Sequence, residues 1–243
     1  MPTKYDSIEN PRFGIFKNTL QATSISISTT VIIVDSSPIE VYRAIQTYIL
    51  ELQMSNIILL QIDKTFKKGH SIRFGISHAL SLSAGAIIGF QEPEKVDMIQ
   101  YYNRIIQQHE ENPTWVCVPK RSPRSWSSYP IEQQHSEQFA NSLLKARSSI
   151  DIDWFFGPIL FTSDLAHHWI EYDGDMWDAQ VVPLLSCIPH IRESTVDFQY
   201  PTEQKQDEQY NSSYIEKRYY QLNQLVGTVT QFLSMMLHHH LLV

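Results

Sequence analysis

Glu92 and Glu94 flank Pro93 directly after the apolar run 86–90. Two carboxylates at that spacing suit Mg²⁺ or Mn²⁺; as ordinary loop acids they are solvated, with Lys95 pairing one of them. Asp173, Asp175 and Asp178 cluster around Gly174, which lets the chain turn tightly and present Asp175 to a pocket. A carboxylate so presented can take a proton from a hydroxyl. The plainer role is N-capping of a helix that starts near Trp177, which one aspartate satisfies and three exceed. Lys68, Gly69 and Arg73 open a helix. Positive charge there opposes the macrodipole and is unusual without an anion, so these residues read either as a phosphate-like site or as a solvated basic helix end. Asp35 ends a buried run, where it can contact a ligand or cap the Ser37 backbone amide.

The elements that must position these groups follow from the apolar pattern. The runs 30–34, 56–62, 86–90 and 115–118 read as strands, and 39–54, the segment from Gly69, and 96–109 as the helices between them. This alternation predicts a mostly parallel sheet with right-handed crossovers and ligands outside the carboxyl ends of the strands, after Val34, Ile62 and Phe90. Downstream, 120–129 reads as a surface loop, 131–149 and 178–187 as helices, 195–200 as a strand and 208–237 as one long C-terminal helix.

The chain has 243 residues, 42% hydrophobic and 19% charged, which is ordinary globular composition for one α/β domain. A formal charge of −7 argues against nucleic acid as a partner, although a local basic cluster can still hold one diphosphate. Cys117 and Cys187 match no zinc or redox spacing and read as free thiols. No apolar run approaches the roughly 20 residues of a membrane span, and the polar N-terminus lacks a signal-peptide stretch. A cytoplasmic protein, working beside a membrane at most, is the expectation. His167–His168 and His238–His240 lack the helical i, i+4 spacing and third ligand of a metal site. Trp154 and Trp177 can stack on a sugar face, though core packing is the commoner job of a tryptophan.

The stretch KGHSIRFGISHALSLSAGAIIGFQEPEKVD, from Lys68 to Asp97, resembles the heart of family-2-like glycosyltransferases of the GT-A fold. TVIIVDSSP upstream resembles that family's second strand, and WFFGPILF with EYDGDMWDAQ downstream resembles its acceptor-side segment. The resemblance covers about residues 12–190. It implies a single Rossmann-like domain over 1–243, with a nucleotide-binding half (12–118), an acceptor-side half (119–200) and a C-terminal helical segment (201–243). It implies a nucleotide-sugar donor and a small-molecule, glycan or lipid-linked acceptor. Glu92 and Glu94 then stand at the D-x-D position as metal ligands. Asp35 contacts the nucleobase, and Lys68, Gly69 and Arg73 lie at the diphosphate. Asp175, ahead of Asp173 and Asp178, becomes the general base.

The chain departs from the family's pattern at its start. Met1–Tyr5 resembles only the tail of the family's first nucleotide-binding loop, and no strand precedes it. Either the start lies upstream or the sheet lacks a central strand, whose absence leaves two rows of backbone groups to be filled by a segment from elsewhere or a partner chain. The altered D-x-D and the missing strand also fit a protein that has lost catalysis and serves as a binding module. A nucleotidyltransferase is a third reading, but its glycine-rich basic signature after the first strand is not present. The end of the C-terminal helix, Met235–Leu237 with Leu241–Val243, is expected to meet a partner subunit, a second copy or a membrane surface.

Overall fold

The computed structural model describes residues 1–26, 29–208 and 210–240. In chain order the elements are β1 (Pro2–Thr3), α1 (Pro11–Ser26), β2 (Val31–Asp35), α2 (Ile39–Glu51), β3 (Ile57–Gln61), α3 (Lys68–Leu82), β4 (Ile87–Phe90) and α4 (Ile99–His109). They continue as β5 (Val116–Arg121), α5 (Pro123–Ser128), α6 (Ile131–Ser148), β6 (Ile159–Thr162), α7 (His167–Glu171), α8 (Asp178–Ser186), β7 (Ile191–Val196), α9 (Thr202–Glu208) and α10 (Ser212–His240).

The class is α/β, but the strands form two sheets where the alternation predicts one parallel sheet. β1, β2 and β3 pair in parallel in the order β1-β2-β3. The second sheet is mixed, in the order β4-β6-β5-β7. Here β6 lies antiparallel to both β4 and β5, and β7 parallel to β5. Hydrophobic runs identify strands without choosing their neighbours. The run around β6 is buried throughout its apolar part and takes the place between β4 and β5 that a simple crossover series would leave closed.

β2 and β4 nevertheless run the same way across the gap between the sheets. Ser36, after β2, and Glu92, after β4, line one cavity; Thr30 and Ala86, before those strands, line another. α3 packs on β1, β2 and β4 and so bridges the two sheets. It does so through Ile72 and Ile76, one turn apart on its buried face. α1 is an element that the apolar pattern does not announce; its Phe13, Phe16 and Leu20 pack with Val31, Ile33, Val41 and Ile45 beneath the first sheet.

Two boundaries in the C-terminal part of the chain differ from expectation. The last strand is 191–196, not 195–200, and residues 197–200 run on as loop. The long helix expected over 208–237 is α10, Ser212–His240, and it starts later than expected because Tyr210 adopts a φ of 64° and the Asn211 side chain accepts from Tyr214 N at 3.2 Å. α10 packs on α6 and α8 through Leu222, Leu225 and Val229, while Tyr219 and Tyr220 face outward. No helix among the described residues is long and apolar enough to cross a membrane. Residues 241–243, and the side chains of 235–240, lie outside what is described, and with them the expected partner- or membrane-facing end.

Candidate functional site

A cavity of about 360 Å³ opens where β2 and β4 end. That volume lies within the range of small-molecule sites. Seven basic side chains line it: Lys4, Arg12, Lys67, Lys68, Lys95, Lys217 and Arg218. Three carboxylates, Glu92, Glu94 and Glu208, oppose them. In a chain of formal charge −7 this is a concentrated reversal of sign.

Glu92 sits in the loop after β4 and pairs with Lys68 Nζ at 3.0 Å, while Lys95 Nζ lies 3.9 Å from its other oxygen. Burial alone would raise this carboxyl, but the Lys68 and Lys95 ammonium groups override it and bring its pKa to about 2. Room for the carboxylate comes from Gly157, on the approach to β6. Its φ of +110° is unfavourable for other residues, and a Cβ there would stand 2.7 Å from Glu92 Oε2. Glu94 is 5% exposed and accepts from Tyr5 Oη at 3.3 Å and Arg12 Nη2 at 3.0 Å. Burial, and then Glu94, push the Tyr5 hydroxyl well above its ordinary range.

Both carboxylates of the E-P-E segment are thus committed to protein cations. As arranged they do not fit a divalent metal, which would have to displace Lys68 and Arg12 to reach them. Among the described residues no group of three or more His, Cys, Asp or Glu gathers as a ligand set.

Lys68 is the first residue of α3, and its Nζ also lies 4.8 Å over the Trp177 ring and 5.5 Å over Phe90. Gly69 N donates to Asp175 O at 2.8 Å. A Cβ on Gly69 would lie 2.0 Å from Gly174 O, so the glycine allows the 172–176 loop to rest on the helix start. Arg73 is used there as well: its Nη1 donates to Tyr172 O at 2.8 Å and Gly174 O at 2.7 Å. Arg73 does not line the cavity. The backbone carbonyls of the loop take up part of the positive helix end that the sequence reading gave to a phosphate.

The aspartates divide. Asp178, the first residue of α8, accepts from Met176 N at 3.0 Å and Tyr172 Oη at 2.9 Å; it braces the turn before the helix and makes no N-cap bond to the helix's own first amides. Asp173 is exposed. Asp175 is 53% exposed and pairs with Lys67 at 3.2 Å and more distantly with Arg73 at 3.9 Å. It stands at the rim, beside Met176 and Trp177, which line the cavity. Asp35 is fully buried and accepts from Thr3 Oγ1 and Ser37 Oγ, both at 2.7 Å, and from Ser37 N at 3.3 Å. Burial raises its pKa against those hydrogen bonds, and it serves as the clasp that ties β1 to the loop after β2. Ser36, not Asp35, reaches the cavity. Trp154 is core.

Several wall residues escape the sequence reading because their partners are remote in the chain. Arg12, from α1, meets Glu94. Lys95 is expected beside a glutamate and lies 3.9 Å from Glu92, but its bond to Tyr129 Oη at 3.0 Å, among the rings of Tyr129, Phe156, Phe198 and Tyr200, is not announced. Lys217 and Arg218 come from α10. Arg218 contacts Glu137, which also pairs with Arg121 at 2.7 Å; Arg121 in turn pairs with Asp153 at 2.7 Å. This buried quartet anchors α10 to α6 and β5 behind the cavity. No protein-family model and no curated protein matches the chain.

Proposed function

We propose that this chain is a GT-A-like glycosyltransferase that holds a nucleotide-sugar donor in the basic cavity at the ends of β2 and β4. The observation that carries the reading is the surplus of seven cations over three carboxylates, placed at the carboxyl ends of two co-directional strands in an acidic protein. A diphosphate is the anion such a surplus suits, held by Lys68, Arg12, Lys217 and Arg218. Ser36 and the Pro2–Lys4 segment border the nucleoside end, and Trp177 offers a face for the sugar. In the reaction an acceptor hydroxyl attacks the sugar C1, the bond from C1 to the diphosphate oxygen breaks, and the hydroxyl proton passes to Asp175. The fixed ammonium and guanidinium groups stabilise the charge that develops on the leaving diphosphate. No metal enters this scheme.

A second reading, a binding module without turnover, is favoured by one feature: Asp175 is engaged by Lys67 and Arg73 and must be released before it can act as a base. Titration with UDP, GDP and their sugar conjugates, with Mn²⁺ and with chelator, tests both. Binding that persists in chelator and weakens about tenfold or more in Lys68→Gln is expected, the loss of a charge-assisted contact. Absence of nucleotide binding under every condition would overturn the proposal. Clear binding without release of nucleoside diphosphate, across a panel of acceptors, selects the second reading.

A further inference from the structure

α9 and α10 bring a second kind of chemistry to the basic cavity. On α9, Gln204 and Glu208 lie one turn apart and share a face. On α10, Tyr214, Arg218 and Gln221 follow at helical spacing and also reach the cavity. Apart from Pro201, every residue that these helices and the approach to α9 give to the wall carries a hydrogen-bonding side chain.

Glu208 stands out among them, being only 9% exposed. Buried carboxylates are normally paired with a cation, as Glu92 and Glu94 are in this cavity. Glu208 has no ion pair among the described residues. It is also the last residue of α9, where the helix dipole disfavours negative charge. Neutral groups hold it instead: Tyr200 Oη donates to Oε2, and Gln204 Nε2 donates to Oε1 at 3.0 Å. These two donors leave about half of a carboxylate's roughly four acceptor positions open. Tyr214 stands beside it; burial, and then Glu208, push that hydroxyl above its ordinary range and keep it a donor. Gln221 makes no hydrogen bond to another described residue.

We propose that the α9–α10 wall binds a neutral, hydroxyl-rich ligand, a saccharide, with neighbouring hydroxyls on the Glu208 carboxylate and others on the Tyr214 hydroxyl and the Gln221 amide. The carboxylate disfavours an anion, and Lys217 and Arg218 beside it disfavour a cation. A lipid chain finds almost no apolar surface on this wall, and its burial there would leave the carboxylate and the amides without partners. Hydroxyls donate to the carboxylate and both donate to and accept from the amides, so they satisfy every group present. In the proposed transfer reaction this ligand is the acceptor, which makes the part that enters the cavity a sugar. That role rests on the glycosyl-transfer reading; the binding site does not.

The full chain is titrated with the methyl glycosides of glucose, galactose, mannose and N-acetylglucosamine, read by saturation-transfer NMR. Methyl glucuronide and octanol serve as the anionic and apolar comparators. At least one neutral glycoside is expected to bind with a Kd of about 1 mM or tighter. Glu208→Gln is expected to weaken that binding about tenfold or more, and Gln221→Ala about threefold or more, from the hydrogen bonds each removes. Gln221 has no partner in the fold to lose, so its variant decides the matter where Glu208→Gln does not fold. Failure of every glycoside to bind, tighter binding of the glucuronide or of octanol, or glycoside binding that neither variant changes overturns the proposal. Glycoside binding without any nucleotide binding upholds the site and removes only its role in transfer.

Discussion

Gly69→Ala isolates the contact between the start of α3 and the 172–176 loop. An added Cβ would lie 2.0 Å from Gly174 O and 2.9 Å from Asp175 Cα, well inside ordinary contact at 3.4 Å. The loop must withdraw by about 1.4 Å, the difference between the first and last of those distances. That movement opens the bond from Gly69 N to Asp175 O at 2.8 Å and both Arg73 bonds, at 2.8 and 2.7 Å. One neutral bond and two charge-assisted ones, the latter discounted for partial exposure, amount to about 2–4 kcal/mol. For a chain of this size the unfolding midpoint then falls by about 4–16 °C. Scanning calorimetry measures the fall, and urea titration checks that the m-value is kept. Met176 and Trp177 move with the loop, so the nucleotide binding proposed for the cavity is expected to weaken in parallel. A midpoint within about 1 °C of the parent, with only anion binding lost, would refute the packing argument and return Gly69 to the phosphate role read from the sequence.

Glu137→Gln removes one carboxylate from the buried quartet and leaves Arg121 with Asp153 alone and Arg218 without its carboxylate; a loss of about 3–5 kcal/mol in urea titrations is expected, partly recovered by adding Arg218→Gln. Glu92 has a folded pKa of about 2, below the ordinary carboxyl value of about 4.3. Its contribution is therefore full above about pH 4.3 and is lost as pH falls toward 2, so parent stability should drop more steeply across that window than in Glu92→Gln. Asp175→Asn is expected to cut sugar transfer by about 10²–10⁴-fold while leaving donor affinity nearly unchanged, as single-turnover assays would reveal. Asp173→Asn should be nearly silent and Asp178→Asn should act through stability, so full activity in Asp175→Asn removes that residue from the mechanism.

The β-branched runs of β2 and β3, the buried stripe of α3 and the position of β4 are legible because each is a local pattern. Asp35 as a clasp on Ser37 is the plainer of the two roles that its spacing allowed, whereas the expected N-cap on α8 is not made and Asp178 holds the preceding turn instead. What the sequence does not carry is pairing across distance. Nothing near Glu92 or Glu94 announces that Lys68 and Arg12 will meet them, from 24 and 82 residues away in the chain. Nothing near β4 announces an antiparallel β6 beside it. The buried stripe of α1, Phe13–Phe16–Leu20, is present at helical spacing but diluted by Gly14 and by Ser and Thr. The break before α10 turns on one left-handed residue, Tyr210, a conformation that its side-chain type does not advertise.

The basic cavity also governs how a ligand arrives. With a formal charge of −7 on the chain, a small anion far from the surface is repelled, and at the mouth the cavity's cations oppose that repulsion. The Debye length shortens from about 30 Å at 0.01 M salt to about 10 Å at 0.1 M. Moderate salt therefore screens the distant repulsion before it reaches the close attraction. Capture of an anion by this protein should slow far less with added salt than capture by a uniformly basic surface, and the approach is selective for ligands that can reach the cleft between β2 and β4.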